Sequence, residues 1–486
     1  MEMVYKDPAH IYLPHADEVV KKYLTFQDRQ VQFMISKLKK QYRYSNSEYA
    51  LKRMEELKAE VNKTLLWYDA DGNPYTLSGL HRMLGTRFGW TLQHKDFPIN
   101  GRAFPYQRQP KYKNRYYQDD AVAEMIKHRH CAIELPTGAG KSAVIRDLCK
   151  NNPVQTVVMA PSTSIASQLY NEFVLLFGAK WVGMFGDGKK HINKLITVAI
   201  SQSLVKVVEG SKEWEYLSKT KKFISDESHT VPAETFQTVC LGLFANAPEK
   251  YFVSATQTRT DGSEIVLQGI TGPIVYSKSF RELVAEGFLS NPLIKIFHVP
   301  PTVGVNNADP KTETRNQIYY NLNVATTAAN IANKMYNSGK QTVIVLEEFR
   351  QFDLIKDLIT VPFVFLHGGA SKDAKEYLPP QYWVSPDIPE EVERFNRGET
   401  RLIIGTSAVA TGTDFIPVNC LMNLRGGTSE IQVKQTLGRG TRIGDNKKDF
   451  FYVDFCIDNS KTMERHVAAR EEIYLDLTDS VEHIRK

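Results

Sequence analysis

The residues best suited to chemistry lie in residues 131–142, CAIELPTGAGKS. Ala132, Ile133 and Leu135 read as a short buried strand, which ends in a Pro-Thr-Gly-Ala-Gly turn and enters a helix at Lys141-Ser142. That order builds a phosphate-binding loop. Gly138 and Gly140, in a turn that also holds Thr137, let the backbone curl so that successive N–H groups face a β-phosphate with a helix N-terminus behind them. Lys141 would reach the β- and γ-phosphates, and Ser142 would hold Mg²⁺. The common G-x-x-x-x-G-K-[ST] pattern has glycine where this chain has Leu135. A second cluster, KFISDESHT at 222–230, ends an apolar strand in Asp226-Glu227. It places two carboxylates at the C-terminal edge of a sheet, where open α/β folds bind ligands. Asp226 suits Mg²⁺, directly or through water, and Glu227 suits polarising an attacking water. Together the two clusters predict a nucleoside triphosphate site with Mg²⁺ as its metal.

These residues need parallel strands to hold them. From residue 116 onward apolar runs alternate with helical patterns, which predicts βα repeats. One series of strands is expected at 131–135, 156–160, 196–200, 222–226 and 250–254. A second is expected at 292–298, 341–346, 363–366, 401–406, 420–424 and 449–455. Two series of similar size predict two α/β domains, at 116–280 and 281–460, followed by a charged helical tail at 461–486. The first 64 residues read as mostly helical, with Leu51, Met54 and Leu57 at helical spacing. WYDADGNPY at 67–75 reads as strand, turn and strand; 76–92 reads as a short helix ended by Gly89 and followed by a strand. Residues 1–100 therefore form a small α+β module, and 101–115, rich in proline, basic and aromatic residues, form a linker.

The net charge of +6 is uneven: residues 1–117 carry 20 Lys+Arg against 12 Asp+Glu, leaving the remainder slightly acidic. A basic N-terminal quarter predicts a polyanionic partner, though a solvated basic face has the same composition. No apolar run approaches the roughly 18 residues of a membrane span, and the N-terminus lacks the layout of a secretory signal. The five cysteines are scattered with no C-x-x-C pair, which predicts buried thiols rather than disulfides or zinc. A cytoplasmic protein with no structural metal, monomeric in solution, is expected.

Taken in order, the segments resemble superfamily 2 helicases and translocases. Residues 222–229 resemble that family's D-E-x-H box, ending in His229. RYYQDDAV at 115–122 resembles the adenine-reading segment, with Gln118 as the contact through an amide that donates and accepts. Residues 157–168 and 198–204 resemble strand-contacting loops, which implies nucleic-acid contacts at Pro161, Ser162, Thr163, Ser201 and Gln202. VSATQTR at 253–259 resembles the segment that couples nucleotide to nucleic acid, with Ser254 and Thr256 as the coupling residues. LIIGTSAVATGTDF at 402–415 resembles the fifth motif: Thr406, Thr411 and Gly412 would touch the tracked strand, and Asp414 the ribose or the coupling network. QVKQTLGRGTR at 432–442 resembles the sixth motif, in which Gln435, Arg439 and Arg442 would face a γ-phosphate across a cleft.

The resemblance implies a fold of two tandem RecA-like parallel-sheet domains behind the α+β module. It also implies nucleic-acid-dependent ATP hydrolysis. The layout is similar to phage branch-migration helicases of the T4 UvsW kind and the related phage T5 helicase. That implies DNA as partner, branched or duplex with single-stranded regions, and remodelling of forks, Holliday-like junctions and displacement loops. A double-stranded translocase of a restriction or repair complex, an RNA helicase, and an ATP-gated binding switch that unwinds nothing share the same motifs. Finally, Tyr382 and Trp383 in the proline-rich stretch at 372–387 could wedge a junction or pack on their own domain.

Overall fold

The computed structural model describes the chain except Asn46, His94, Asp96, Pro98, Pro232, Lys486 and residues 100–112, 229–230, 257–263, 303–308, 407–408, 410–414 and 444–446. Its packing divides into two units: Met1–Leu135 with Gly140–Ser277, and Pro136–Ala139 with Lys278–Lys486.

The first unit opens on β1 (Glu2–Asp7) and β2 (His10–Tyr12), so the reading of residues 1–64 as mostly helical is corrected at its start. Met3 and Ile11 are buried, and pairing with neighbouring strands decides the conformation of a segment too short to show a period. β3 (Thr25–Gln27) and β4 (Asn62–Thr64) pair across two helices, Arg29–Ser45 and Glu48–Glu60. The latter buries Ala50, Met54 and Leu57. β5 (Trp67–Tyr68), β6 (Pro74–Leu77) and β7 (Thr91–Leu92) complete a sheet of order β5-β6-β2-β1-β7. Gly89 ends helix His81–Phe88 at φ 70°, a conformation glycine takes without a Cβ penalty.

The module shares a core with the parallel sheet behind it. Met3, Ile11, Leu77 and Leu80 cluster with Ala132, Phe252, Val266 and Ile270. Two glycines make this approach possible. A Cβ on Gly79 would stand 2.5 Å from the carbonyls of Gln268 and Gly269, and one on Gly269 would stand 2.5 Å from Leu77. That sheet contains β8 (His130–Glu134), β9 (Thr156–Ala160), β10 (Val182–Gly186), β11 (Lys189–Lys190), β12 (Ile196–Ile200), β13 (Lys222–Asp226), β14 (Glu249–Ser254) and β15 (Ile274–Ser277). Its order is β11-β10-β12-β9-β13-β14-β8-β15, parallel except for the β10–β11 hairpin. β9, β12 and β13 are buried throughout, as expected of strands covered on both faces.

The second unit is an all-parallel sheet of β16 (Asn291–Val299), β17 (Thr342–Val345), β18 (Val364–Leu366), β19 (Leu402–Gly405), β20 (Cys420–Asn423), β21 (Asp449–Ile457) and β22 (Val481–Ile484). Its order is β18-β19-β17-β20-β21-β16-β22. The tail read as helix at 461–486 is helical only over Lys461–Leu477. Thr478 is extended, and β22 then joins β16 in parallel register. A buried network holds that helix down: Arg470 donates to both oxygens of Asp454, at 2.8 and 3.1 Å, and the Tyr474 hydroxyl donates to Asp454 at 2.9 Å. Burial works against the guanidinium's charge, but Asp454 outweighs it and holds the pKa above its ordinary value. Of the two readings of the 372–387 stretch, packing on its own domain is the one this structure supports. Tyr382 packs edge-on against Phe352 at 4.8 Å, and the Trp383 indole N–H donates to the Leu378 carbonyl at 2.8 Å, so both rings serve their own domain.

Candidate nucleotide and nucleic-acid site

The neighbours β12, β9, β13, β14 and β8 run parallel, so their C-terminal ends line one edge of the first sheet. Asp226 is in register with Val253, and Ser254 with Glu134. The Leu135 N–H donates to the Ser254 carbonyl and the Glu227 N–H to the Val253 carbonyl, each at 2.9 Å. The phosphate loop and the carboxylate pair therefore leave the sheet on either side of β14. Ser254, whose hydroxyl donates to the Thr256 carbonyl at 2.7 Å, lies between them.

Gly138 and Gly140 adopt φ of 90° and 79°, and Lys141 opens helix Lys141–Lys150 with Gly140 as its N-cap. Thr137 lies in the turn, and Ser142 is the helix's second residue, half-buried. The Lys141 ammonium is 3.0 Å from Glu227 Oε1 and donates to the Leu135 carbonyl at 3.3 Å. Glu227 sits at φ 47°, a left-handed conformation that costs a non-glycine residue about 1–3 kcal/mol and recurs at functional sites. Gln118 is buried. Its amide oxygen accepts from the Arg115 N–H at 2.9 Å, while Nε2 lies 3.5 Å from the Gly140 carbonyl, which ties the start of helix Tyr116–His128 to the glycine turn.

Asp226 is 8% exposed. Burial, and then the charge of Glu227, pushes its pKa up to about 7, with Lys141 acting the other way. Among the described residues its Oδ1 has no hydrogen-bond partner. A buried carboxylate oxygen in that condition, beside the charge of Lys141 at the start of the helix that also carries Ser142, belongs to a donor set that fits a hard divalent cation.

Sequence reasoning missed the brace beneath this loop. Arg146 donates to Asp147 at 2.9 Å and to the Asn114 side-chain carbonyl at 2.5 Å, and the Asn114 amide donates to Asp119 at 2.6 Å. These residues lie on three segments and share no motif, so no sequence signal joins them.

On the same edge, Pro161 and Ser162 follow β9, with the Ser162 hydroxyl capping helix Thr163–Phe177. Thr163 and Gln202 are exposed. Ser201 is only 2% exposed and Thr406, at the end of β19, 6%. Both are buried in this structure, whereas Thr163 and Gln202 are open to solvent. In the second unit Gln435 and Arg439 lie four residues apart, on one face of the segment Glu430–Gly438 and its C-cap. Arg442 follows in a loop braced by buried Lys447, whose ammonium donates to the carbonyls of Gly440, Arg442 and Ile416 at 2.5, 3.0 and 3.3 Å. Burial pulls the pKa of that lysine down to about 7. His229, Thr411, Gly412 and Asp414 lie outside the described residues.

Two family models match the chain. The one described as "Type III restriction enzyme, res subunit" covers residues 111–259, and "Helicase conserved C-terminal domain" covers 325–444. "Probable helicase D10" of Escherichia phage T5 is 25% identical over 368 residues, spanning 75% of this chain and 76% of its own. "ATP-dependent DNA helicase uvsW" of Enterobacteria phage T4 is 25% identical over 368 residues, spanning 70% and 68%. Among solved structures, a fragment of an HsdR subunit of a type I restriction enzyme from Vibrio vulnificus superposes with a TM-score of 0.54 at 17% identity, covering 78% of this chain and 69% of that one. That last likeness concerns the fold. The ordered motifs, the two parallel sheets and the matching helicase models agree, and the chain belongs to the superfamily 2 helicases, enzymes whose ATP hydrolysis nucleic acid stimulates.

Proposed function

We propose that this helicase acts on DNA and remodels branched structures, migrating or unwinding forks and junctions at the expense of ATP. The observation that carries the reading is the shared edge of the first sheet, where the phosphate loop, the Asp226-Glu227 pair, Ser254 and the loops after β9 and β12 stand side by side. A change at the nucleotide there reaches the strand-contacting loops through a few residues.

Lys141 is assigned to the phosphates, and to reach them it exchanges Glu227 for phosphate oxygens. Glu227, released, orients the attacking water. Asp226 and Ser142 would hold Mg²⁺, which when bound neutralises charge on the phosphate oxygens. Gln118 is assigned to the adenine, and Arg439 and Arg442 to the transferring oxygens, where a planar guanidinium offers paired donors. Thr163 and Gln202 are the exposed candidates for the nucleic-acid backbone.

Two features support DNA, and branched DNA, as the substrate. The T4 relative is named an ATP-dependent DNA helicase. Helix Arg29–Ser45 of the N-terminal module carries Arg29, Lys37, Lys39, Lys40 and Arg43, has no acidic residue and buries only Val31, which suits a phosphate backbone. The test compares ATPase stimulation by branched DNA, plain duplex, single-stranded DNA and RNA, alongside strand displacement on a forked substrate. Strongest stimulation by branched DNA with displaced product supports the reading. Stimulation by plain duplex without displacement assigns a translocase instead, stimulation by RNA an RNA helicase, and DNA binding with slow turnover and no displacement a switch.

A further inference from the structure

Far from the phosphate loop in sequence, the second unit gathers nitrogen, oxygen and sulfur donors at the end of its sheet. His298 on β16 is in register with Cys456 on β21, so both side chains leave the sheet on one face. His483 on β22 is in register with Ile296, two residues from His298, and shares that face. Asp458 follows β21, and Glu471 comes from the covering helix Lys461–Leu477. One ligand atom from each of His298, Cys456 and Asp458 lies within 4.8 Å of the others. Beyond them runs a chain of contacts. His298 Nδ1 is 2.7 Å from Asp458, His298 Nε2 is 2.8 Å from His483 Nδ1, and His483 Nε2 is 3.1 Å from Glu471.

With Nδ1 of His298 turned to the cluster, its Nε2 reaches His483 Nδ1, and His483 Nε2 in turn reaches Glu471, so two further side chains fix the orientation of the ring. A ligating histidine whose other nitrogen is oriented by a hydrogen-bonded partner is the usual outer shell of a metal site.

We propose that His298, Cys456 and Asp458 bind a divalent transition ion of the zinc class, with water completing the coordination and with His483 and Glu471 as the orienting shell. One nitrogen, one thiolate and one carboxylate suit a borderline-soft tetrahedral ion better than Mg²⁺ or Ca²⁺. Binding breaks the Cys456 S–H bond, forms the metal–sulfur bond and releases the proton to solvent. Asp458, half-exposed, has room to open from hydrogen-bonding to ligand spacing. The ion would fasten β16 to the turn after β21, and through His483 would hold the terminal strand β22. This site is independent of the nucleotide site and of the function proposed for it.

The full chain, stripped with chelator and dialysed, is titrated with Zn²⁺ by calorimetry and with Co²⁺ by absorbance. One equivalent of each is expected, with a thiolate-to-cobalt charge-transfer band that is lost in Cys456→Ser. His298→Ala is expected to abolish binding, and Glu471→Gln to weaken it about 10–100-fold. Asp458→Asn tests the cluster in a variant whose exposed side chain leaves folding intact, and is also expected to bind more weakly. Zn²⁺ should raise the Tm of the wild type but not of Cys456→Ser. Absence of saturable binding overturns the proposal. So does wild-type affinity retained in both Cys456→Ser and Asp458→Asn, which would place the metal elsewhere.

Discussion

At the residue scale, the proposed nucleotide site sets up a competition for one ammonium. Lys141 is paired with Glu227, and a triphosphate bound as proposed would replace that carboxylate. Lys141→Ala is expected to lower ATP turnover by at least about two powers of ten, the usual cost of losing an electrostatic donor to a reacting centre, while DNA binding in a filter or anisotropy assay is largely kept. Glu227→Gln is expected to separate the two roles of the carboxylate. Nucleotide binding measured by fluorescence titration should tighten, because Lys141 no longer has an anion to leave, whereas turnover should be lost with the water-orienting group. Unchanged nucleotide affinity in Glu227→Gln would show that the pair does not compete with phosphate. Arg439→Ala and Arg442→Ala should lower kcat by about three powers of ten or more while nucleotide affinity changes little, as expected of guanidinium groups engaged by the transferring phosphoryl group.

At the element scale, stability depends on how the small sheet and the terminal helix are seated. His130, at the start of the phosphate-loop strand β8, lies under the N-terminal module. Its Nε2–H donates to the Ile270 carbonyl at 2.7 Å, and Nδ1 faces the Ser78 hydroxyl at 3.3 Å. Burial, then the charge of Lys250, pushes its pKa down to about 3. The folded protein therefore holds this imidazole neutral where the unfolded chain, with a pKa near 6.5, binds a proton. The stability present above pH 6.5 is lost progressively as pH falls towards 3, by about 3 kcal/mol at pH 4. Thermal melts across pH 4 to 7 should show a smaller acid loss in His130→Gln than in the wild type. In the second unit, Arg470→Met leaves Asp454 buried without its cation and should destabilise by about 3–5 kcal/mol in urea unfolding, since a lone buried charge is the costly outcome.

At the scale of the whole molecule, charge is segregated. The N-terminal quarter is basic, the remainder slightly acidic, and no described helix is long and apolar enough to cross a membrane. If the N-terminal module grips a phosphate backbone, replacing Lys37, Lys39, Lys40 and Arg43 by alanine should flatten the slope of log K for DNA against log salt by about 3–4. ATP turnover without DNA should be unaffected. An unchanged salt slope would remove that helix from the interface.

The chain's local chemistry was legible without coordinates. The eleven strands expected from apolar runs all appear within a residue or two of their predicted ends, most of them because a strand covered on both faces is apolar along its length. The strand–turn–helix at 131–142 was legible for a similar reason: its turn needs glycines at positive φ, and its helix begins at Lys141. Short or edge elements were not. β1, β2 and β22 take their conformation from the partners they pair with, which windows of three to six residues do not record. Ser201 and Thr406 have the right type for a backbone contact, but only packing determines that they are buried.

Sequence by itself therefore determined the chemistry available: a phosphate loop, a carboxylate pair, arginines near the far end and a basic front. Tertiary structure alone decided which of these groups meet. Lys141 and Glu227 are 86 positions apart and His298 and Cys456 are 158 apart, yet parallel strands bring each pair to a common sheet edge or face. The physical reason is that a parallel neighbour need not be a sequence neighbour. Strand order and register are set by burying whole faces, so contacts at a strand's end carry no local signature.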